Sequence, residues 1–139
     1  MKIQLKRQGH EGCQFEAINE QGNTAMIDGP ASVGGNDQGV RPMQMVLMGL
    51  AGCAAVDLIL ILGKQRQEPA DIEITVEANR VDAIPAVFSD IHIHFTVSGK
   101  VDEKKLARAA SLSVEKYCSV ATMLQPDVKI TQSASLKDA

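Results

Sequence analysis

Polarity along the chain changes period several times, and each change marks a new element. Ile3 and Leu5 alternate with Lys2, Gln4 and Lys6, which predicts a first strand with one apolar face. Gly9 to Gly12 supplies a turn, and Cys13, Phe15 and Ala17 then alternate with their neighbours as a second strand. Asn19 to Gly22 turns the chain again, into a short third strand over Thr24 to Asp28. Tight turns between consecutive strands predict an antiparallel meander. The stretch from Gly29 to Gly39 is too rich in Gly and polar turn formers to be an element, and reads as a loop.

Pro42 then suits the first turn of a helix, where its missing N–H leaves nothing unpaired. From Met43 to Leu62 the chain is apolar apart from Gln44 and Asp57, so this helix is predicted to run to about Arg66, with Pro69 preventing continuation. A run of about 20 such residues is long enough to cross a bilayer. A charge at Asp57 opposes that by at least about 2.5 kcal/mol, and the Gly- and Ala-rich segment Gly49 to Ala55 lowers the hydrophobicity. A buried helix is expected, and no membrane association. Ile72, Ile74 and Val76 predict a fourth strand. Ile91, Ile93, Phe95 and Val97, alternating with His92, His94 and Thr96, predict a fifth. Asp102 caps a helix expected from Glu103 to Cys118, with Leu106, Ala109, Ala110, Ser113, Val114 and Tyr117 on one face. A short helical turn from Ser119 to Leu124 and a last strand from Val128 to Ser133 complete the order βββ-α-ββ-α-α-β. The fold class is α+β, in a single domain over residues 1–139.

The first helix is apolar nearly all round, and one small sheet cannot cover it. A second copy of the chain is the simplest cover, which predicts an obligate homodimer with a large hydrophobic interface that includes Met43 to Leu62. At 139 residues and 45% hydrophobic, with aromatics at 3% and no Trp, the core must be built from aliphatic side chains and Met. A formal net charge of -3 argues against a nucleic-acid partner. The alternating start is read as a strand and not as a signal peptide. With three cysteines, this points to the reducing cytoplasm, where a disulfide is transient and catalytic or sensing.

Cys53 lies in the middle of the apolar helix and Cys118 where one helix ends and another begins. If the fold joins them, the pair can cycle between dithiol and disulfide. Cysteine reactivity requires the thiolate, which an apolar wall alone disfavours. Cys53 therefore needs support, and Arg41 or Gln44 are the candidates. Cys118, near a helix start, is placed for stabilisation by local N–H groups. The plain alternative for each is a small core residue. Cys13 is read as structural. His92 and His94 form an H-x-H pair without a third ligand, so no metal site is expected, and no cofactor motif is present. Asp57 follows Cys53 by about one helical turn but receives no catalytic role.

The segment Gly39-Val-Arg-Pro-Met-Gln-Met-Val-Leu-Met-Gly-Leu-Ala-Gly-Cys53 resembles the signature of the OsmC/Ohr family, the osmotically inducible and organic-hydroperoxide-resistance proteins, and most nearly its YhfA-like branch. In that signature a Pro opens a long central helix that carries the reactive cysteine on a later turn. Glu115-Lys-Tyr-Cys-Ser-Val-Ala121 resembles the second cysteine region, and the order of elements matches along the chain. The resemblance implies an intertwined homodimer with two central helices between sheets and an active site at each subunit interface. It also implies thiol-dependent reduction of organic hydroperoxides and hydrogen peroxide, with Cys53 peroxidatic, Cys118 resolving and a thiol reductant restoring the pair. Met43 and Gln44 stand where peroxidase members have a Glu after the Pro, and Arg41 is not at their usual Arg position. Two alternatives stay open: a dimeric protein that binds a small hydrophobic ligand without turnover, and a redox sensor.

Overall fold

A computed structural model describes residues 1–138. The chain forms two compact units, Met1–Met48 and the remainder from Gly49.

In the first unit, β1 (Ile3–Arg7), β2 (Phe15–Asn19) and β3 (Thr24–Ile27) form the expected antiparallel meander in the order β1-β2-β3. Its register pairs Leu5 with Ala17 and Phe15 with Ile27. Cys13 is not on β2: Gly9 and Gly12 both take left-handed φ and widen the turn to include it. The loop after β3 is organised by one buried carboxylate. Asp28 accepts backbone N–H bonds from Gly29 at 2.7 Å, Gln38 at 3.1 Å and Asn36 at 3.2 Å. These N–H donors, Gln38 foremost, hold its carboxyl below the usual aspartate range against the opposing effect of burial. The Cys13 thiol donates to the same carboxylate at 3.5 Å, in keeping with a structural role. A Cβ on Gly35 would collide with the Gly29 backbone, so the loop can close this tightly only with glycine there.

Helix α1 (Pro42–Lys64) continues from the first unit into the second. Its start is a capping arrangement: the Arg41 carbonyl accepts from Met45 N–H at 3.0 Å, and Gln44 Oε1 reaches back to the Arg41 N–H at 3.0 Å. Its end is a Schellman motif, with Gln67 N–H bonded to the Leu62 carbonyl at 2.9 Å and Arg66 N–H to Gly63 at 3.0 Å. Arg66 takes the left-handed position usually given to Gly (φ 59), and closes the helix before Pro69. Pro69 lies instead inside β4 (Glu68–Arg80), beside an irregularity in the strand register.

The second unit holds β4, β5 (Phe88–Lys100) and β6 (Lys129–Leu136) in the order β4-β5-β6, with β5 antiparallel to β4 and parallel to β6. Alternation on β5 sends Phe88, Ile91, Ile93, Phe95 and Val97 into the core. They share that core with Leu106, Ala109 and Ala110 of α2 (Glu103–Leu112) and with Leu50, Ala54, Leu58 and Leu62 of α1. Asp102 caps α2 as expected, accepting the Lys105 N–H at 3.0 Å. The opposite face of the sheet carries a polar ladder: His92 lies between Thr131 (2.6 Å) and Ser133 (2.8 Å), and His94 between Ser133 (2.6 Å) and Ser135 (3.0 Å).

One departure matters for the site. The helix expected to run regularly from Glu103 to Cys118 changes at Ser113 into a π-helical turn, Ser113–Tyr117. Each π turn adds a residue and rotates the succeeding residues around the axis. Val114 stays buried, but Tyr117, expected on the same buried face, is 51% exposed. Helix α3 (Ser119–Leu124) begins directly after Cys118.

Phe95 is fully buried and central in β5. Phe95→Ala is expected to lower unfolding free energy by about 3–5 kcal/mol in urea denaturation, the usual loss for a truncated core aromatic.

Candidate functional site

The repeat of buried positions on α1, Leu50, Ala54, Leu58 and Leu62, recurs every fourth residue. Cys53 and Asp57 each precede a buried member by one, so they lie about 100° around the helix from that stripe. Both are half-buried. The carbonyl of Leu50 faces the Cys118 sulfur at 4.0 Å, the outer limit for a sulfur contact. Cys118 itself occupies the break between the π turn and α3. Its backbone N–H closes the π turn on the Ser113 carbonyl at 2.8 Å, and its Sγ accepts the Ala121 N–H at 3.4 Å as the cap of α3.

These constraints bring together residues remote in sequence. Cys53 Sγ, Cys118 Sγ and an Asp57 carboxylate oxygen all lie within 4.8 Å of one another. All three cysteines are free thiols. Since a disulfide requires about 2.0 Å between sulfurs, side-chain rotation and a small local shift separate this dithiol from a bond. Cys118 is wholly buried. Burial pushes its thiol up to about 11, the Ala121 N–H opposes this, and the nearness of Cys53 adds to the rise. The helix-start N–H groups expected to favour a thiolate are present, but desolvation outweighs them. Cys118 is therefore a neutral thiol at physiological pH.

Asp57, given no role from its spacing alone, is the third member of the cluster. Its Oδ2 is buried and has no hydrogen-bond partner among the described residues. The signal for it is the C-x-x-x-D spacing, which puts a carboxylate one turn after the thiol on the same side of a helix. Asp57 also lines a recess of ≈ 220 Å³ with Leu60, Ile61, Lys64, Leu112 and Tyr117. Arg41 and Gln44 belong to the first unit. There Gln44 Oε1 caps α1, and the Arg41 guanidinium pairs with Asp37 at 3.4 Å.

Comparison with known proteins gives a consistent result. The family of OsmC-like proteins matches over residues 34–133. Protein YhfA of Escherichia coli (strain K12) is 40% identical over 124 residues, covering 88% of this chain and 90% of that protein. A hypothetical protein from Aquifex aeolicus has the same fold, with TM-score 0.84, 30% identity, and coverage of 99% of this chain and 96% of its own. An organic hydroperoxide resistance protein OsmC from Legionella pneumophila matches with TM-score 0.72 over 97% of each chain. At 18% identity, that likeness extends to the fold alone.

A raised thiol pKa in the folded chain makes a definite contribution to stability. The neutral Cys118 thiol stabilises the fold fully below the ordinary value of 9.0, and this is lost as pH rises toward about 11. The urea midpoint should fall across that window, and Cys118→Ala should flatten the fall. Identical slopes for the two proteins would contradict the assignment.

Proposed function

The chain belongs to the OsmC-like protein family, and from that premise we propose a thiol-dependent reductase of organic hydroperoxides that acts through Cys53 and Cys118. The proximity of two sulfurs 65 positions apart, one half-buried and one fully buried, is the observation that carries this reading. The Cys53 thiolate attacks the O–O bond of a hydroperoxide, which breaks and releases an alcohol, leaving Cys53 as sulfenic acid. The Cys118 thiol then displaces water from that sulfenic acid and the disulfide forms. An external dithiol restores both thiols by exchange, itself becoming oxidised. A resolving thiol that stays neutral does not compete for peroxide, which supports the order Cys53 first and Cys118 second.

Electrostatic support for Cys53 is the part in which this chain differs from the peroxidase members. Met43 offers no charge, and Arg41 and Gln44 are the nearest candidates in sequence to orient the peroxide or the thiolate. Loss of one such group commonly slows a reaction by about 100-fold or more, so turnover slower than that of peroxidase members is expected. The apolar recess beside Asp57 favours a second reading, in which a small hydrophobic ligand is bound without turnover. A cytoplasmic setting suits three free thiols.

The acting form is a homodimer. In the single chain Val56, Ile59 and Leu60 of α1 are more than half exposed, as are Ile3 and Leu5 of β1. Among the described residues, no hydrophobic side chain of the first unit is fully buried, and a small sheet without cover is only marginally stable. A second copy supplies matching apolar surface from both elements. Sedimentation velocity at micromolar concentration should give a dimer; a monodisperse monomer would contradict it.

The chemistry is separated by variants. Cys53→Ser should abolish consumption of tert-butyl hydroperoxide, whereas Cys118→Ser should accumulate a sulfenic acid that dimedone traps. Undiminished peroxide consumption by Cys53→Ser would leave ligand binding as the better account.

A further inference from the structure

The three atoms at the site are also a ligand set. Two cysteine sulfurs and a carboxylate oxygen lie mutually within 4.8 Å, the only such group of three among the described residues. Tetrahedral Zn²⁺ with bonds of about 2.3 Å to sulfur and 2.0–2.2 Å to oxygen places its ligand atoms roughly 3.5–3.8 Å apart. A contraction of at most about 1.3 Å therefore closes this set on an ion. An independent observation points the same way. Asp57 Oδ2 is buried without a hydrogen-bond partner among the described residues, and such an oxygen calls for a proton or a cation. Lys64 lines the same recess but makes no ion pair with Asp57 among the described residues.

We propose that the reduced chain binds one Zn²⁺ through Cys53 Sγ, Cys118 Sγ and an Asp57 carboxylate oxygen. The donor types select the metal: thiolates favour zinc over magnesium or calcium, which take oxygen ligands. Three protein ligands leave a fourth position for solvent, which is the arrangement of accessible and exchangeable zinc sites, not of closed structural ones. Binding displaces a proton from each thiol to solvent, and the Asp57 carboxylate supplies the oxygen donor. Because the same sulfur electron pairs form the disulfide, bound metal and disulfide exclude each other. Oxidation of the pair by diamide, whose N=N bond gains the two electrons and two protons that the dithiol loses, therefore releases the ion. Metal occupancy would shield the thiols from oxidants until they are needed. The binding claim stands apart from the peroxidase reading, since it requires only the dithiol.

The test uses metal-free, fully reduced, full-length protein. Titration with ZnCl₂ against a chromophoric chelator should show one equivalent bound per chain. Co²⁺ in its place should give sulfur-to-cobalt charge-transfer absorption in the near ultraviolet. Asp57→Asn, which conserves volume, should weaken zinc binding by at least about 10-fold, the least that loss of even an outer partner costs a site. Cys13→Ser should leave the affinity unchanged, and diamide should release the bound zinc. Absence of the charge-transfer band in the unaltered protein, or zinc affinity indifferent to Asp57→Asn, would overturn the site. If metal-free protein consumes peroxide but takes up no zinc, only the metal proposal fails. If zinc binds as described and the thiols are inert to peroxide, only the peroxidase reading fails.

Discussion

The seating of one helical stripe governs the site. Leu50, Ala54, Leu58 and Leu62 of α1 are all fully buried, and their four-residue spacing leaves α1 only one rotation about its axis. That rotation carries Cys53 and Asp57 to the flank of the helix, where each is half-buried, and turns the Leu50 carbonyl toward the sulfur of Cys118. A turn of the helix by one residue would bury Cys53 in the core or swing it to solvent. The positions next to the stripe are therefore chemical as well as structural: the residues that fill the core decide which side chains are left at its edge.

The second thiol is positioned by a different device. A regular α-helix through Ser113 to Cys118 would keep Tyr117 with Val114 on the packed side. The π turn instead ends on a Cys118 that faces inward, bonded through its N–H to Ser113 and through its sulfur to Ala121. The result is two thiols in unlike surroundings. Burial keeps Cys118 protonated, while Cys53 lies nearer to solvent. Unlike environments for like groups are the usual way a site assigns separate tasks to them. Asp57, whose Oδ2 is buried without a hydrogen-bond partner among the described residues, is the third polar group beside this pair.

Much of the architecture is legible in the sequence, because it rests on periodicity. The alternation on β5, the Asp102 cap and the order of the six strands and three α-helices need only local pattern, whereas the short 3-10 turn Ala31–Val33 inside the expected Gly29–Gly39 loop does not show in it. The choice of Cys53 and Cys118 as candidates also rests on local pattern, and the resemblance to a family carries their proposed roles. The misses share a physical cause: each depends on a backbone detail that side-chain pattern does not report. Cys13 leaves β2 because two left-handed glycines widen the turn. Tyr117 leaves the buried face because of an inserted π residue, for which Ser113-Val-Glu-Lys-Tyr117 has no distinct signature. The cap that Gln44 forms on α1, by contrast, is open to reading from its place three residues after Arg41, and the expectation of thiol support passes over it. Asp57 is visible as a spacing, but its unpartnered oxygen is a property of the folded chain.

The central claim is that Cys53 and Cys118 are one redox pair. Mass-spectrometric disulfide mapping after a stoichiometric pulse of organic hydroperoxide tests it most directly. The account predicts an intrachain link between the peptides carrying Cys53 and Cys118, with Cys13 recovered as a free thiol. Recovery of Cys53 and Cys118 as free thiols, or a disulfide that runs through Cys13, would contradict it.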